Sequence, residues 1–161
     1  MVVAYVAPLS HEPPVISISM GKGHYTNACI EESKLLSVNI PSSWMIDAVD
    51  YAGSFSAVDT DKSQLFRVER GELGTPLVAS CPISLECRLV QILEFDHDKA
   101  YICRIENSYV DEDVMVEGLP DIARVDPLCL SMHDFKYHRL GECLGRVWSL
   151  GPEYTPPVGG V

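Results

Sequence analysis

The sequence predicts a mainly β fold, a β-barrel with α additions, and three observations support this prediction. Residues 77–94 and 100–110 are rich in Val, Ile, Leu and Tyr, which favour strands. The polar residues 96–99 between them are typical of an antiparallel hairpin. The length of 161 residues and the apolar content of 47% suit one compact domain. We predict this domain over residues 1–150, followed by a tail rich in Pro and Gly at residues 151–161.

The first part of the chain predicts a strand, a turn and a helix in an order that suits phosphate binding. Residues 15–19 alternate between apolar and polar side chains, and residues 20–25 form a glycine-rich basic turn. Thr26 stands where a helix over residues 27–33 would have its N-cap. Free N–H groups at a helix start attract a phosphate, and Lys22 adds a mobile cation. The alternative is a plain turn before a capped helix, because Gly-Lys-Gly matches neither the Walker loop nor the dinucleotide fingerprint.

Further short elements complete the prediction. A strand over residues 35–41 ends at proline, and a helix over residues 42–51 has a serine cap and stops at Gly53. Pro82 predicts a bend or an edge in the strand over residues 77–94. The remaining predicted elements are a polar loop at 54–62, a turn at 117–121, one helical turn at 122–127, a short strand at 128–130 and a last short helix at 141–147.

Charge and hydropathy exclude several classes of function. A net charge of −11 argues against a nucleic-acid partner, because neutralising phosphates requires a basic face. No apolar run reaches the length of a membrane span, so we expect no membrane insertion. The N-terminal residues lack the basic region and the cleavage site of a signal peptide, and we therefore predict a cytoplasmic protein.

The six cysteines predict neither a metal site nor a disulfide. No Cys-x-x-Cys pair occurs, and the five histidines show no ligand spacing. Cys81 and Cys87 fall on one predicted strand roughly 20 Å apart, which is beyond disulfide reach. Folding the hairpin about residues 97 and 98 places Cys103 opposite residue 92, so Cys103 misses Cys87 as well. We therefore prefer buried free thiols in a reducing compartment.

A set of motifs lies in a characteristic order along nearly the whole chain. The motifs are Pro8-Leu-Ser-His-Glu-Pro-Pro14, Tyr25-Thr26, Val38-Asn-Ile-Pro41, Val49-Asp-Tyr-Ala-Gly53, Ser56, Asp59-Thr-Asp-Lys62, Leu85-Glu-Cys87, Asp96-His97 and Arg139-Leu-Gly-Glu-Cys-Leu-Gly145. In this order the chain resembles the flavin reductase-like family of FMN-binding split barrels, which includes the flavoredoxins.

The resemblance implies an FMN site made of several segments. Residues 2–5 would run beside the flavin ring, and residues 17–26 and 56–62 would hold the phosphate and the ribityl chain. The implied cofactor-binding residues are Val2, Val3, Ala4, Tyr5, Ser17, Ser19, Met20, Gly21, Lys22, Tyr25, Thr26, Asn39, Ser56, Asp61 and Lys62. The candidate anchors among them are Lys22, Thr26, Ser56 and Lys62. For Asn39 a structural role is the alternative, and for Lys62 the alternative is an ordinary solvated lysine.

The resemblance also implies a reaction and partners. His97 is similar to a residue on the open face of the flavin, where NADH or NADPH would donate hydride, and it is our candidate catalytic residue. Its alternative is an exposed histidine in a polar turn. Tyr137 and Arg139 would pack near the flavin site, and the protein would be a homodimer. A flavoredoxin-like carrier, which takes electrons from a partner protein, is the alternative electron route.

The chain departs from the family pattern at several positions. Similar proteins usually have a strand before the position of Met1, so we expect the usual first strand to be lacking. Either the true start lies upstream, or another element, such as one from a partner subunit, covers the gap, because an uncovered edge invites association. Val58 stands where many relatives carry arginine, which removes one possible phosphate cation. These departures keep a second class of function open, a non-catalytic split-barrel protein, flavin-binding or structural, without redox turnover.

Overall fold

A computed structural model describes residues 1–56, 58–149 and 151–153. In chain order the strands and helices are β1 (Tyr5–Ser10), β2 (Val15–Gly21), α1 (Thr26–Ser33), β3 (Leu35–Ile40), α2 (Ile46–Ser54), β4 (Val68–Arg70), β5 (Pro76–Val78), β6 (Ile83–Glu94), β7 (Asp98–Val110), β8 (Met115–Val116), β9 (Leu119–Pro120), α3 (Ile122–Val125), β10 (Cys129–Ser131) and β11 (Lys136–His138). Short 3-10 turns cover Ser43–Met45, Glu112–Val114 and Gly151–Glu153.

The centre of the fold is a five-stranded antiparallel sheet with the order β1-β2-β7-β6-β3. The long strands β6 and β7 carry two irregularities, at Glu86/Cys87 and at Leu89/Gln91, which increase the local twist. The mainly β prediction is therefore confirmed. Among the described residues the sheet is open, with β1 and β3 at its edges, so its hydrogen bonds do not close the barrel that the sequence predicted.

The alternation of side chains along β2 sets the two faces of this sheet. Ile16, Ile18 and Met20 are buried in the main core, while Ser17 and Ser19 lie on the opposite face. The main core also contains residues from α1, β3, β6 and β7, namely Ile30, Leu36, Cys87, Tyr101 and Cys103. A second, smaller core of Met45, Val49 and Cys81 packs α2 and its neighbours.

The strands predicted over residues 15–19, 35–41 and 100–110 correspond to β2, β3 and β7, whereas the strand predicted over residues 77–94 is divided into β5 and β6. Strands β4, β8 and β9 were not predicted, and further errors concern helix ends. Thr26 is not the N-cap of α1, because it is already the first helical residue and Tyr25 takes the cap position. Ser42 takes the N-cap position of the 3-10 turn that leads into α2, but its hydroxyl does not cap it and donates instead to the Val125 carbonyl oxygen at 2.6 Å. Helix α2 continues through Gly53 to Ser54.

The end of the chain also differs from the prediction. Residues 141–147 have no regular secondary structure, so the predicted last helix is wrong. Strand β11 was not predicted, and it pairs with β10. Residues 154–161 of the predicted Pro/Gly-rich tail lie outside the described part of the chain.

The cysteines keep the predicted free state, but the geometric argument for it was wrong. Cys81 precedes β6, so Cys81 and Cys87 do not share a strand. Cys103 lies opposite Leu89 and not opposite residue 92, because the turn pairs Glu94 with Lys99 and the strand then contains a bulge. All six thiols are free.

Candidate functional site

A cavity of about 510 Å³, here called the first cavity, opens beside the start of α1. Its volume lies within the range of small-molecule sites. Three stretches line it, the N-terminal residues, the turn before α1, and the end of α2 with the following loop. The lining residues are Met1, Val2, Gly23, His24, Tyr25, Thr26, Ala52, Gly53, Ser54, Phe55, Ser56, Thr60, Asp61, Lys62 and Ser63.

One wall of the first cavity is the uncapped start of α1. Tyr25 takes the N-cap position with helical dihedral angles, and no side chain caps the helix. The first turn of α1 contains no acidic residue. The first N–H groups of a helix have no intrahelical acceptor and carry partial positive charge. This wall therefore favours a negatively charged ligand group.

Lys62 brings a fixed cation to the same cavity. Its Nζ donates hydrogen bonds to the carbonyl oxygens of Ala52, at 2.8 Å, and Phe55, at 2.6 Å. These carbonyls lie at the end of α2, where a cation is favoured by the helix dipole. The ammonium group has three protons, so two donations leave one for a ligand. Lys62 is thus half-buried and anchored, which answers the alternative of an ordinary solvated lysine.

The neighbouring polar groups of the loop are held by local hydrogen bonds. The Ser56 hydroxyl accepts from the Val58 backbone N–H at 3.2 Å. Asp61 accepts from the Ser63 backbone N–H at 2.8 Å, and this hydrogen bond lowers the pKa of the Asp61 carboxyl group. Ser56 keeps its proton for a ligand, whereas Asp61 is a carboxylate whose role is to hold the loop.

Six of the residues predicted from the sequence come together in the first cavity. They are Val2, Tyr25, Thr26, Ser56, Asp61 and Lys62. Val2 also packs against Gly53 and the second core, which places the N-terminal segment along the cavity.

The other predicted residues lie outside this lining. Val3 packs on the main core and Met20 is buried within it. Ala4 and Tyr5 are exposed at the start of β1. Ser17 and Ser19 lie on the sheet face opposite the main core, and Gly21 ends β2.

Lys22 and His97 lie next to each other beside the first cavity. The Lys22 backbone N–H donates to the His97 carbonyl oxygen at 3.0 Å, which fastens the β6–β7 turn to the turn before α1. Lys22 Nζ is 3.5 Å from Glu94 Oε2, so its charge is already paired. The His97 side chain is exposed and is not part of the cavity lining.

Asn39 lies in a hydrogen-bond network between strands. Its Oδ1 accepts from the Val78 N–H at 2.9 Å and from the Ser84 hydroxyl at 2.8 Å. These bonds tie β5 to the edge strand β3, which is the structural role that the sequence left as an alternative.

Sequence reasoning missed several lining residues and one buried carboxylate. Phe55 and Thr60 line the cavity, and the Phe55 ring packs against Tyr51 in a tilted arrangement with ring centroids 4.8 Å apart. Thr60 belongs to the quoted motif at residues 59–62, so proximity in that motif was the available signal. Glu86 is fully buried on β6, and its place in the quoted motif Leu85-Glu-Cys87 was the available signal.

Tyr137 and Arg139 line a different cavity, here called the second cavity, with a volume of about 270 Å³. The Tyr137 hydroxyl donates to Asp50 Oδ1 at 3.0 Å. Arg139 donates to the Ser43 hydroxyl at 2.6 Å and pairs with Asp126 at 3.0 Å. Ile46, the first residue of α2, lines the second cavity, whereas the last residues of α2 line the first cavity. The two cavities therefore lie at opposite ends of α2.

Comparison with known proteins identifies relatives along nearly the whole chain. A family model described as "Flavin reductase like domain" matches residues 1–140. The crystal structure of flavoredoxin from Methanosarcina acetivorans is 37% identical, with a TM-score of 0.89 over 92% of this chain and 81% of that chain. Flavoredoxin of Desulfovibrio vulgaris (Miyazaki F) is 31% identical, with a TM-score of 0.85 over 92% of this chain and 82% of that chain.

A curated protein is also similar to this chain. An uncharacterized protein of Archaeoglobus fulgidus is 28% identical over 125 residues, which are 76% of this chain and 70% of that protein.

None of the described helices is both long and apolar enough to cross a lipid bilayer.

Proposed function

The chain belongs to the flavin reductase-like family, whose family-level function is flavin-dependent redox chemistry, and from this premise we propose that it binds FMN in the first cavity. The observation that carries the proposal is that the uncapped start of α1 and the anchored Lys62 line one cavity. Both features suit the phosphate of FMN, the cofactor that was inferred from the sequence. FMN supplies the electron-transfer chemistry when it is bound, so the protein has to hold and orient it.

The lining residues divide into an anionic end and an apolar end. Near the phosphate, the Thr26 backbone N–H and the hydroxyls of Thr26 and Ser56 donate hydrogen bonds, and Lys62 adds a charge-assisted one. Val2 and Phe55 supply apolar surface for the flat ring. Many relatives carry arginine where this chain has Val58, and Lys62 supplies the positive charge in its place.

Comparison of FMN with riboflavin tests this assignment, because the two ligands differ only in the phosphate. We expect the protein to bind FMN more tightly than riboflavin. Lys62→Met removes one charge-assisted hydrogen bond and should raise the Kd for FMN by about 10-fold to 100-fold, with a smaller effect on riboflavin. Lys34→Met removes an exposed charge at the other end of α1 and serves as the matched control. Equal affinity for both flavins in the unaltered protein would contradict the phosphate assignment.

For the electron donor, we propose NADH or NADPH, with hydride transfer to the flavin near His97. The β6–β7 turn that carries His97 is fastened to the turn lining the cavity, which supports this position. His97→Gln should then lower the rate of nicotinamide oxidation without changing the Kd for FMN. A rate that stays equal to that of the unaltered protein would exclude His97 from the donor site.

A second candidate is a flavoredoxin-like carrier that receives electrons from a partner protein. Both flavoredoxin structures resemble this chain over 92% of its length, and this similarity favours the second candidate. Flavin reduction by a partner protein, with no steady oxidation of NADH or NADPH, would select the carrier. A folded protein that retains neither flavin would instead favour the non-catalytic alternative. The cytoplasmic location stays a prediction of the sequence.

We also propose a homodimer that covers the exposed edge and outer face of the sheet. All six residues of β1 are exposed, and Tyr5 and Leu9 are 57% and 55% exposed. Tyr5, Ser19, Ala100 and Leu93 form one row across four strands on the face opposite the main core, in which Tyr5 and Leu93 are exposed and Ala100 is already buried. An open edge that carries exposed apolar side chains favours pairing with another chain.

Native mass tests the dimer. Leu9→Asp should shift the protein toward the monomer, because it places a charge on the exposed strand. Leu119→Asp, on the exposed β8–β9 hairpin, is the control and should leave the native mass unchanged. A monomeric unaltered protein at micromolar concentration would contradict the proposal.

A further inference from the structure

Asn27 is a buried polar residue directly behind the phosphate end of the first cavity. It is the second residue of α1 and is only 5% exposed, so its side chain faces the protein and not the ligand. It does not line the cavity. Buried amides are retained where their hydrogen bonds hold a defined arrangement, so its partners indicate what it holds.

Both protons of the Asn27 amide are used to hold the turn that forms the cavity wall. Nδ2 donates to the Gly21 carbonyl oxygen at 2.9 Å and to the Lys22 carbonyl oxygen at 3.1 Å. The Asn27 backbone N–H donates to the His24 carbonyl oxygen at 3.1 Å. The turn over residues 21–24 is therefore fastened to the first turn of α1 at three carbonyl groups.

A second layer of residues orients Asn27 itself. The fully buried Tyr101 hydroxyl is 2.8 Å from Asn27 Oδ1 and 2.9 Å from Glu31 Oε1. A hydroxyl has one proton, so these two acceptors share it. Lys99 Nζ donates to the same Glu31 oxygen at 2.6 Å. Because this carboxylate already accepts from Lys99, the Tyr101 hydroxyl can also donate to Asn27 Oδ1. The network fixes the rotamer of Asn27 from the core side.

We propose that Asn27, oriented by Tyr101, is a positioning residue for phosphate binding in the first cavity. This inference rests on the proposed FMN site and assigns the residues that shape its anionic end. The side chain aligns the backbone of the turn with the start of α1, so that the free N–H groups converge on one anion. Convergent, preorganised donors bind an anion more tightly than donors that must be ordered on binding.

Asn27→Ala tests this role, because it removes the three side-chain contacts and introduces no charge. Alanine is a strong helix former, so the substitution does not weaken α1 through propensity. We expect the Kd for FMN to rise about tenfold, while the Kd for riboflavin changes less than about twofold, since losing oriented hydrogen bonds affects the phosphate end. Tyr101→Phe removes only the hydroxyl and should change the same ratio by about threefold.

The ratio of the two affinities separates positioning from general loss of structure. Both flavins are titrated into the same sample, so a smaller folded fraction raises both apparent Kd values equally and leaves their ratio unchanged. Ser42→Ala removes a buried hydrogen bond away from the first cavity and is the matched control, with the ratio of the unaltered protein expected.

The possible failures are distinct. An unaltered protein that binds neither flavin would overturn the proposed function and this inference with it. An unaltered protein that prefers FMN, together with an Asn27→Ala variant that keeps the same preference, would overturn this inference alone. Loss of the FMN preference in Asn27→Ala, with riboflavin binding retained, is the result that the geometry requires.

Discussion

Glu86 offers a stability prediction whose magnitude follows from the structure. Its carboxylate is fully buried on β6 without a cationic partner in the hydrogen bonds described. It accepts from the Leu73 N–H at 3.0 Å and from the Thr75 hydroxyl at 2.8 Å, and both Asn107 and Tyr109 donate to it at 2.9 Å. Burial by itself would raise its pKa, but these hydrogen bonds prevail and lower the pKa from 4.5 to about 2.

The lowered pKa determines the sign of the pH dependence. A group with a lower pKa in the folded state stabilises the protein above its unfolded pKa, and this contribution is lost as the pH falls through the folded pKa. A shift from 4.5 to about 2 corresponds to about 3 kcal/mol at neutral pH. Roughly two-fifths of this contribution is lost by pH 3.5, and most of it by pH 2.

Glu86→Gln keeps the shape of the side chain and removes the titration. Its amide nitrogen would face hydrogen-bond donors, so we expect a loss of about 2–4 kcal/mol in the free energy of unfolding at pH 7. Urea denaturation between pH 7 and pH 3.5 should show the difference between the two proteins decreasing as the pH falls. Glu72→Gln, at an exposed glutamate of the β4–β5 loop, should stay within about 0.5 kcal/mol of the unaltered protein. Parallel pH profiles for Glu86→Gln and the unaltered protein would refute the reasoning.

Two further predictions follow from the positions of single side chains. Lys22→Met should change the Kd for FMN by less than about threefold, because Lys22 pairs with Glu94 outside the first cavity, and flavin titration would reveal a larger effect. A thiol reagent should label Cys29 and Cys143 rapidly in the native protein and the three buried thiols only on unfolding. The buried thiols are Cys81, Cys87 and Cys103, and burial raises their pKa values to about 11 or 12. Rapid labelling of any of the three in the native protein would contradict their burial.

Local patterns predicted the strands better than the helix ends. The alternation in residues 15–19 and the polar turn between β6 and β7 depend on neighbouring residues alone, and both predictions are confirmed. Thr26 was mistaken for a cap because its sequence context suits either position, whereas the actual fold begins the helix at this residue. The predicted helix at residues 141–147 failed, and two glycines within that range weaken helix formation.

Register and long-range contacts were beyond sequence reasoning. The turn that pairs Glu94 with Lys99 and the bulge that follows it together place Cys103 opposite Leu89 instead of residue 92, and both arise from pairing between strands. Asn39 and Lys22 were both implied cofactor-binding residues, yet the fold uses Asn39 in a strand network and pairs Lys22 with Glu94. Residues implied by the same resemblance can therefore have different partners, and packing decides which of them reach a cavity.

The sequence by itself determined the mainly β architecture, the family, and the segments that carry the first cavity, because these follow from periodicity and from ordered motifs. The tertiary structure decided which side chains line that cavity, how Lys62 is anchored and how Asn27 is oriented. It also decided the burial of Glu86 and the separation of Tyr137 and Arg139 into a second cavity. The physical reason is that hydrogen-bond partners and burial depend on segments that are distant in sequence, and they form only when the chain packs.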